Sequence, residues 1–124
     1  MIDTVAIDCR LDDHALVIRD STGHVLWEGR VEGVDVLSVV RLGETCVAVL
    51  EWGQKQQVGR LLNLVRVAKN GSVLWRAEMP TNRNAEAYTK ISIEGEDLVA
   101  WSFSGLMVRL DPETGRIRSK QFVG

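Results

Sequence analysis

Apolar and polar residues alternate along this chain in short runs rich in Val, Ile, Leu and Trp, each ended by Gly, Asn or Asp. That period is the period of β-strands. Runs 38–42 and 45–51 are joined by Gly43-Glu44, a connection short enough for a tight hairpin. Runs 88–93 and 97–103 repeat the arrangement across Glu94-Gly95-Glu96. Runs 61–68 and 72–79 flank Lys69-Asn70-Gly71, where Asn-Gly is expected to supply the positive φ angles of a primed turn. Runs 106–110 and 116–123 are joined by a Pro-containing turn that closes on Gly115, and runs 14–19 and 24–31 by a turn that closes on Gly23. With run 4–10 ahead of them, the pattern predicts about eleven strands grouped three, four and four in one domain, 1–124.

The grouping repeats in sequence. Gly43-Glu44 with Val47, Ala48 and Gly53 recurs as Gly95-Glu96 with Val99, Ala100 and Gly105. Thr22-Gly23-His24-Val25-Leu26-Trp27 recurs as Asn70-Gly71-Ser72-Val73-Leu74-Trp75, and in part as Thr114-Gly115-Arg116-Ile117. Self-similarity at this period marks a repeated supersecondary unit, and four-stranded antiparallel units of this length are propeller blades. The turn-and-tryptophan element resembles the blade motif of the quinoprotein-like, PQQ-type propeller repeats. In those an Asp precedes a Thr-Gly turn and a Trp follows four residues after the Gly. Asp20, Thr22, Gly23 and Trp27 match it best; the second unit keeps Gly71 and Trp75, and the third keeps Asp111, Thr114 and Gly115 but has Ser119 in place of the Trp. The resemblance implies the blade architecture. No cofactor site is carried over, and no cofactor is assigned.

Three blades leave open edges that invite pairing with another chain. Two copies could combine into a six-bladed ring, or the strands could curl into a smaller open barrel or sandwich-like sheet; a homodimer is favoured under either. One local competitor exists. Val58, Leu61, Leu62 and Val65 have helical spacing, so an α+β fold with one helix around 54–66 on an antiparallel sheet is the alternative, opposed by Gly59 in its middle.

Composition narrows the function. Apolar residues are 45% and charged residues 26% of the chain, and the net charge is -2. Lys and Arg are scattered singly, so no nucleic-acid surface is expected. No apolar run reaches the ~20 residues of a membrane span. The N-terminal residues lack the basic start and apolar core of a secretory signal, and a cytoplasmic protein is expected. Cys9 and Cys46 are expected as free thiols, small hydrophobes in or beside strand-like segments, with a disulfide between them as the alternative.

Catalytic signals are weak. His14 and His24 lie near Asp12, Asp13 and Asp20, but no further ligands converge on them, and they read as surface residues beside a turn. Asp12-Asp13 lacks the alternating oxygen ligands of a calcium loop. There is no Gly-x-Ser-x-Gly and no phosphate-binding Gly-rich loop. Neither an enzyme nor a metal site is expected. Trp27 and Trp75 hold equivalent repeat positions and are expected to plug neighbouring blades together.

Departures from a repeat are where binding surfaces lie. Loop 54–60, next to Trp52, and loop 80–87, ahead of Tyr88, break the pattern and are rich in amides and Arg. Trp52, Gln54, Gln56, Gln57, Arg60, Arg83, Asn84 and Tyr88 are therefore the candidate partner-binding residues. The expectation is a non-catalytic, protein-binding β-scaffold that self-associates. Two alternatives stand beside it: an immunity-type inhibitor whose loops plug a partner toxin, and a small-molecule or hydrolytic module at the centre of an assembled ring, with Asp3, Ser38 and Lys90 at strand starts.

Overall fold

The computed structural model describes residues 7–51, 62–82 and 86–124. Among them lie eleven strands and no helix. β1 (Ile7–Asp12), β2 (Ala15–Asp20) and β3 (Val25–Gly29) form the first sheet. β4 (Val36–Leu42), β5 (Thr45–Leu50), β6 (Leu64–Ala68) and β7 (Val73–Arg76) form the second. β8 (Tyr88–Glu94), β9 (Asp97–Ser102), β10 (Leu106–Leu110) and β11 (Ile117–Phe122) form the third. Each sheet is an antiparallel meander, so the 3+4+4 grouping read from the sequence is the fold.

The helical alternative is corrected where it can be seen. Leu64–Ala68 is a strand paired with β5 and β7, its Val65 and Val67 facing one neighbouring blade and Leu64 the other. The rest of that segment lies outside the described residues.

Turn chemistry sets the register. Gly71 has φ +91° while Asn70 stays out of the left-handed region, so the 69–71 turn is not the primed type that Asn-Gly suggests. Instead the Gly71 N–H donates to Ala68 O, the Ala68 N–H donates to Ser72 O, and the ladder shifts register between Arg66 and Val67. This is a turn closed by a left-handed Gly with an adjacent bulge. Gly23 and Gly115 repeat the arrangement, each with a register shift just before it. Because this turn joins β2 to β3, β6 to β7 and β10 to β11, the first sheet corresponds to the last three strands of the others. It has no counterpart of β4 and β8 among the described residues.

The blades stack through two apolar layers. Leu16, Ile18, Val31 and Val36 pack against Ala48, Leu50, Val65 and Val67 between the first and second blades. Val47, Val49 and Leu64 pack against Leu98, Ala100, Val108 and Leu110 between the second and third. The repeated tryptophans pin these layers at the turns. The indole of Trp27, in the first blade, lies against Gly71 of the second so closely that a β-carbon there would be inside van der Waals contact. Trp75, in the second, covers Gly115 of the third, where a β-carbon would sit 2.6 Å from Cε3. Trp75 Nε1–H also donates to Pro112 O at 2.9 Å, and Arg66 donates to the same carbonyl at 2.6 Å.

The cysteines correct a further expectation. Cys9 on β1 and Cys46 on β5 are not free thiols but a disulfide joining the first blade to the second, with Cα atoms 6.5 Å apart. Both side chains face the layer between those blades, a proximity that exists only once the blades have stacked.

Two stability measurements check this packing. Gly71→Ala and Gly115→Ala should each cost about 3 kcal/mol or more in urea unfolding, because the left-handed penalty and the displaced indole act together. Gly23→Ala, with the same kind of φ and nothing within 4 Å, should cost only about 1–2 kcal/mol. Reduction of the disulfide, which spans a sequence separation of 37, should lower stability by roughly 3–4 kcal/mol on the loop-closure estimate.

Candidate functional site

In an antiparallel meander the connections alternate between the two ends of the sheet. At one end lie the short turns around Gly23, Gly43, Gly71, Gly95 and Gly115. At the other lie the Asp13-His14 turn, the long connections 51–63 and 77–87, the segment 30–35 and the 103–105 turn. Cross-bonds confirm the gathering: Val36 N–H donates to His14 O, Phe103 N–H to Ala87 O, and Val123 N–H to Gly105 O. Both loops singled out in the sequence therefore spring from the same end.

Their stems are held by buried polar side chains. Asn63 is fully buried at the foot of loop 51–63. Its Nδ2 donates to Leu50 O at 3.0 Å and Tyr88 O at 2.8 Å, and its Oδ1 accepts from Tyr88 N–H at 2.9 Å. One amide thus fastens the second blade to the third. Glu86, only 3% exposed, anchors loop 80–87. Its Oε2 accepts from Ser104 Oγ at 2.6 Å and Thr81 Oγ1 at 2.9 Å; its Oε1 accepts from Ala87 N–H at 3.2 Å and Ser104 N–H at 3.3 Å. Burial pushes this carboxyl upward, but the bonds from Ser104, Thr81 and Ala87 outweigh it and hold Glu86 below the ordinary glutamate range. Ser102 Oγ continues the network to Ser104 at 3.0 Å.

The first blade contributes a charged corner. Asp13, His14 and Glu32 all have left-handed backbones, at φ 51°, 64° and 54°, which costs some energy for residues with a β-carbon. Arg30 donates to Asp35 at 2.6 Å and to Asp13 O at 3.2 Å. The Asp35 carboxylate bound to Arg30 raises the guanidinium's affinity for its proton. Beyond these groups stand exposed hydrophobes of the third blade: Phe103 is 67% exposed, Phe122 72% and Val123 50%.

Of the candidate residues, Trp52, Gln54, Gln56, Gln57, Arg60, Arg83 and Asn84 lie outside the described residues. Tyr88 is not a surface contact. Its ring is fully buried between the second and third blades, and its hydroxyl donates to Glu78 O at 2.6 Å. Burial, with Glu86 and Glu78 nearby, pushes the phenol upward, so it stays neutral. His24 is exposed beside its turn, and His14 Nδ1 lies 4.0 Å from Asp35. Among the described residues no three His, Cys, Asp or Glu side chains are grouped to hold a metal, and no helix is long and apolar enough to cross a membrane. Sequence reasoning missed Asn63 and Glu86 as anchors. The available signal was a lone amide inside the apolar run Leu61-Leu62-Asn63-Leu64-Val65.

The chain belongs to the family described as "Domain of unknown function (DUF7957)", whose profile matches residues 7–122. No curated protein sequence matches this DUF7957 chain. Its fold is similar to the computationally designed Ika4 protein, with a TM-score of 0.62 at 15% identity over 100% of this chain and 70% of that one. BamB from Moraxella catarrhalis matches with a TM-score of 0.57 at 14% identity over 94% of this chain. The Pan2 WD40 domain of Neurospora crassa matches with 0.56 at 18% identity over 97% of it. BamB and the WD40 domain are β-propellers, and this chain spans 35% and 33% of their lengths. At these identities the likeness shows the fold, and the blades of this DUF7957 member are propeller-like.

The anchor has a pH signature. A carboxyl depressed in the folded state stabilises the fold above the unfolded value of about 4.3, and that contribution disappears as pH falls through the lowered folded value. Wild-type protein should lose stability on acidification below about pH 4.3. Glu86→Gln should cost about 1–3 kcal/mol at neutral pH and show a flatter acid limb in denaturant titrations.

Proposed function

We propose that this chain is a non-catalytic, protein-binding scaffold that meets its partner through the loop-bearing end of the blades. The observation that carries this is the co-location there of the exposed Phe103, Phe122 and Val123 with the described stems of both long connections, which Asn63 and Glu86 fix. Anchored stems lower the entropy lost when a partner docks, and exposed aromatics suit a protein interface. Propeller-like neighbours fit such a role, since repeated β units hold loops rigidly.

The chemistry of the buried cluster supports the non-catalytic part. Ser104 donates its hydroxyl proton to Glu86, and a carboxylate accepting four bonds and held ionised is a poor general base at neutral pH. The docking of Trp27 and Trp75 on glycines of the next blade supports kinship with quinoprotein-like repeats, without assigning a cofactor. A second copy of the chain qualifies as partner only by docking at this same end.

Affinity capture from the source cell with matched variants tests the reading. A protein captured by wild type and by Leu74→Asp, an exposed change on β7, should be lost with Phe103→Asp/Phe122→Asp, the purified pair weakening at least ~30-fold as expected for hot-spot loss. Equal capture by the loop-end variant would overturn it. So would a thermal stabilisation of several degrees by a metal, quinone or phosphoester with no protein partner.

A further inference from the structure

We propose that the two outer faces of the three described blades are caps, so that copies of this chain do not complete one another into a ring. This stands independently of the loop-end reading. The repeat itself provides the comparison, because register pairing places corresponding residues of the three blades on corresponding faces. On the face turned towards the preceding blade, the second blade carries Cys46 paired with Val67, and Ala48 paired with Val65. The third carries Leu98 paired with Leu110, and Ala100 paired with Val108. No blade precedes the first among the described residues, and on that face it carries Asp8 paired with Arg19, and Arg10 paired with Val17. Asp8 and Arg10 also bond each other at 2.7 Å. Val17 alone of the four keeps its apolar counterpart, in a row between Arg10 and Glu28.

Part of the opposite face shows the same exchange, while Val99, Trp101 and Met107 there keep the apolar character of Val47, Val49 and Leu64. Towards the third blade the second presents Val40, Leu42 and Trp75. The third presents Ser92, Glu94 and Ser119 at the matching register positions. Arg109 ties Glu94 at 3.1 Å to Asp97 at 3.3 Å, and Arg118 joins Asp97 to Asp111. Lys90 Nζ lies 5.0 Å from the Trp101 ring centroid, laying its stem over the largest apolar group left on that face.

The tryptophan device ends at both places as well. Gly23 has the left-handed φ of +92° of its counterparts but no atom within 4 Å, and Ser119 leaves the last blade without an indole to offer. Closing a ring would bury these ion pairs against one another with no plug and only a partial apolar layer, and desolvating charges without new partners is unfavourable. Repeat proteins end in polar-faced terminal repeats for the same reason.

Solution mass with an uncapping series decides the matter. Wild type is expected to remain monomeric across a wide concentration range. Copying the internal faces onto the ends (Asp8→Leu, Arg10→Ala and Arg19→Leu with Ser92→Val, Glu94→Leu and Ser119→Trp) is expected to at least double the mass. A folded combined variant that stays monomeric would overturn the proposal, as would a wild-type dimer dispersed by Ser119→Lys. Should the combined variant fail to fold, hydroxyl-radical footprinting of wild type at Met107 and Trp101 still decides. Labelling independent of concentration supports caps, and protection that grows with concentration overturns them.

Discussion

A tryptophan lying on a glycine is the contact on which the blade stack depends. The indoles of Trp27 and Trp75 reach across to the turn of the next blade, and each fits only because Gly71 or Gly115 has no side chain. The same glycines close their turns with positive φ, so one residue type meets two demands at one place. The bulge beside each turn sets the register of the outer strand and so aims the tryptophan at the following blade. Local turn geometry and inter-blade docking are thereby the same constraint.

From that polarity the rest of the molecule follows. A device that runs from each blade to the next gives the stack a direction, and a directed stack has two unlike ends. The first blade has a glycine that receives nothing, and the last has a serine where a plug would stand. The disulfide adds a covalent tie between the first and second blades, where the first has three strands among the described residues. The alternation of connections in a meander then collects the long loops at one end and the tight turns at the other. Asn63 and Glu86 tie the described stems at that end by supplying buried bonds where regular ladders stop.

Much of this was legible in the residues. Within the second and third blades, β5 and β9 are near-continuous apolar strands that start just after a Gly-Glu turn, which is why their limits could be read closely, whereas β6 starts three residues later than its apolar run suggests. The equivalence of Trp27 and Trp75 followed from repeat position alone. The turn at Asn70-Gly71 was less legible, because the dipeptide suits two turn types and the bulged register with Arg66 selects between them. Tyr88 was misread because it follows a polar loop, whereas the bulge after it turns its ring into the core.

By itself the sequence determined the strands, their grouping and the positions of the plugs, since alternation, left-handed glycines and short turns are properties of neighbouring residues. Only the tertiary structure decided that Cys9 meets Cys46, that Glu86 is ionised under four donors, and that two distant loops share one end. It also decided which charged residues stand on outer faces and which apolar ones stand between blades. Those outcomes depend on contacts between residues far apart in the chain, and they exist only after the blades have stacked.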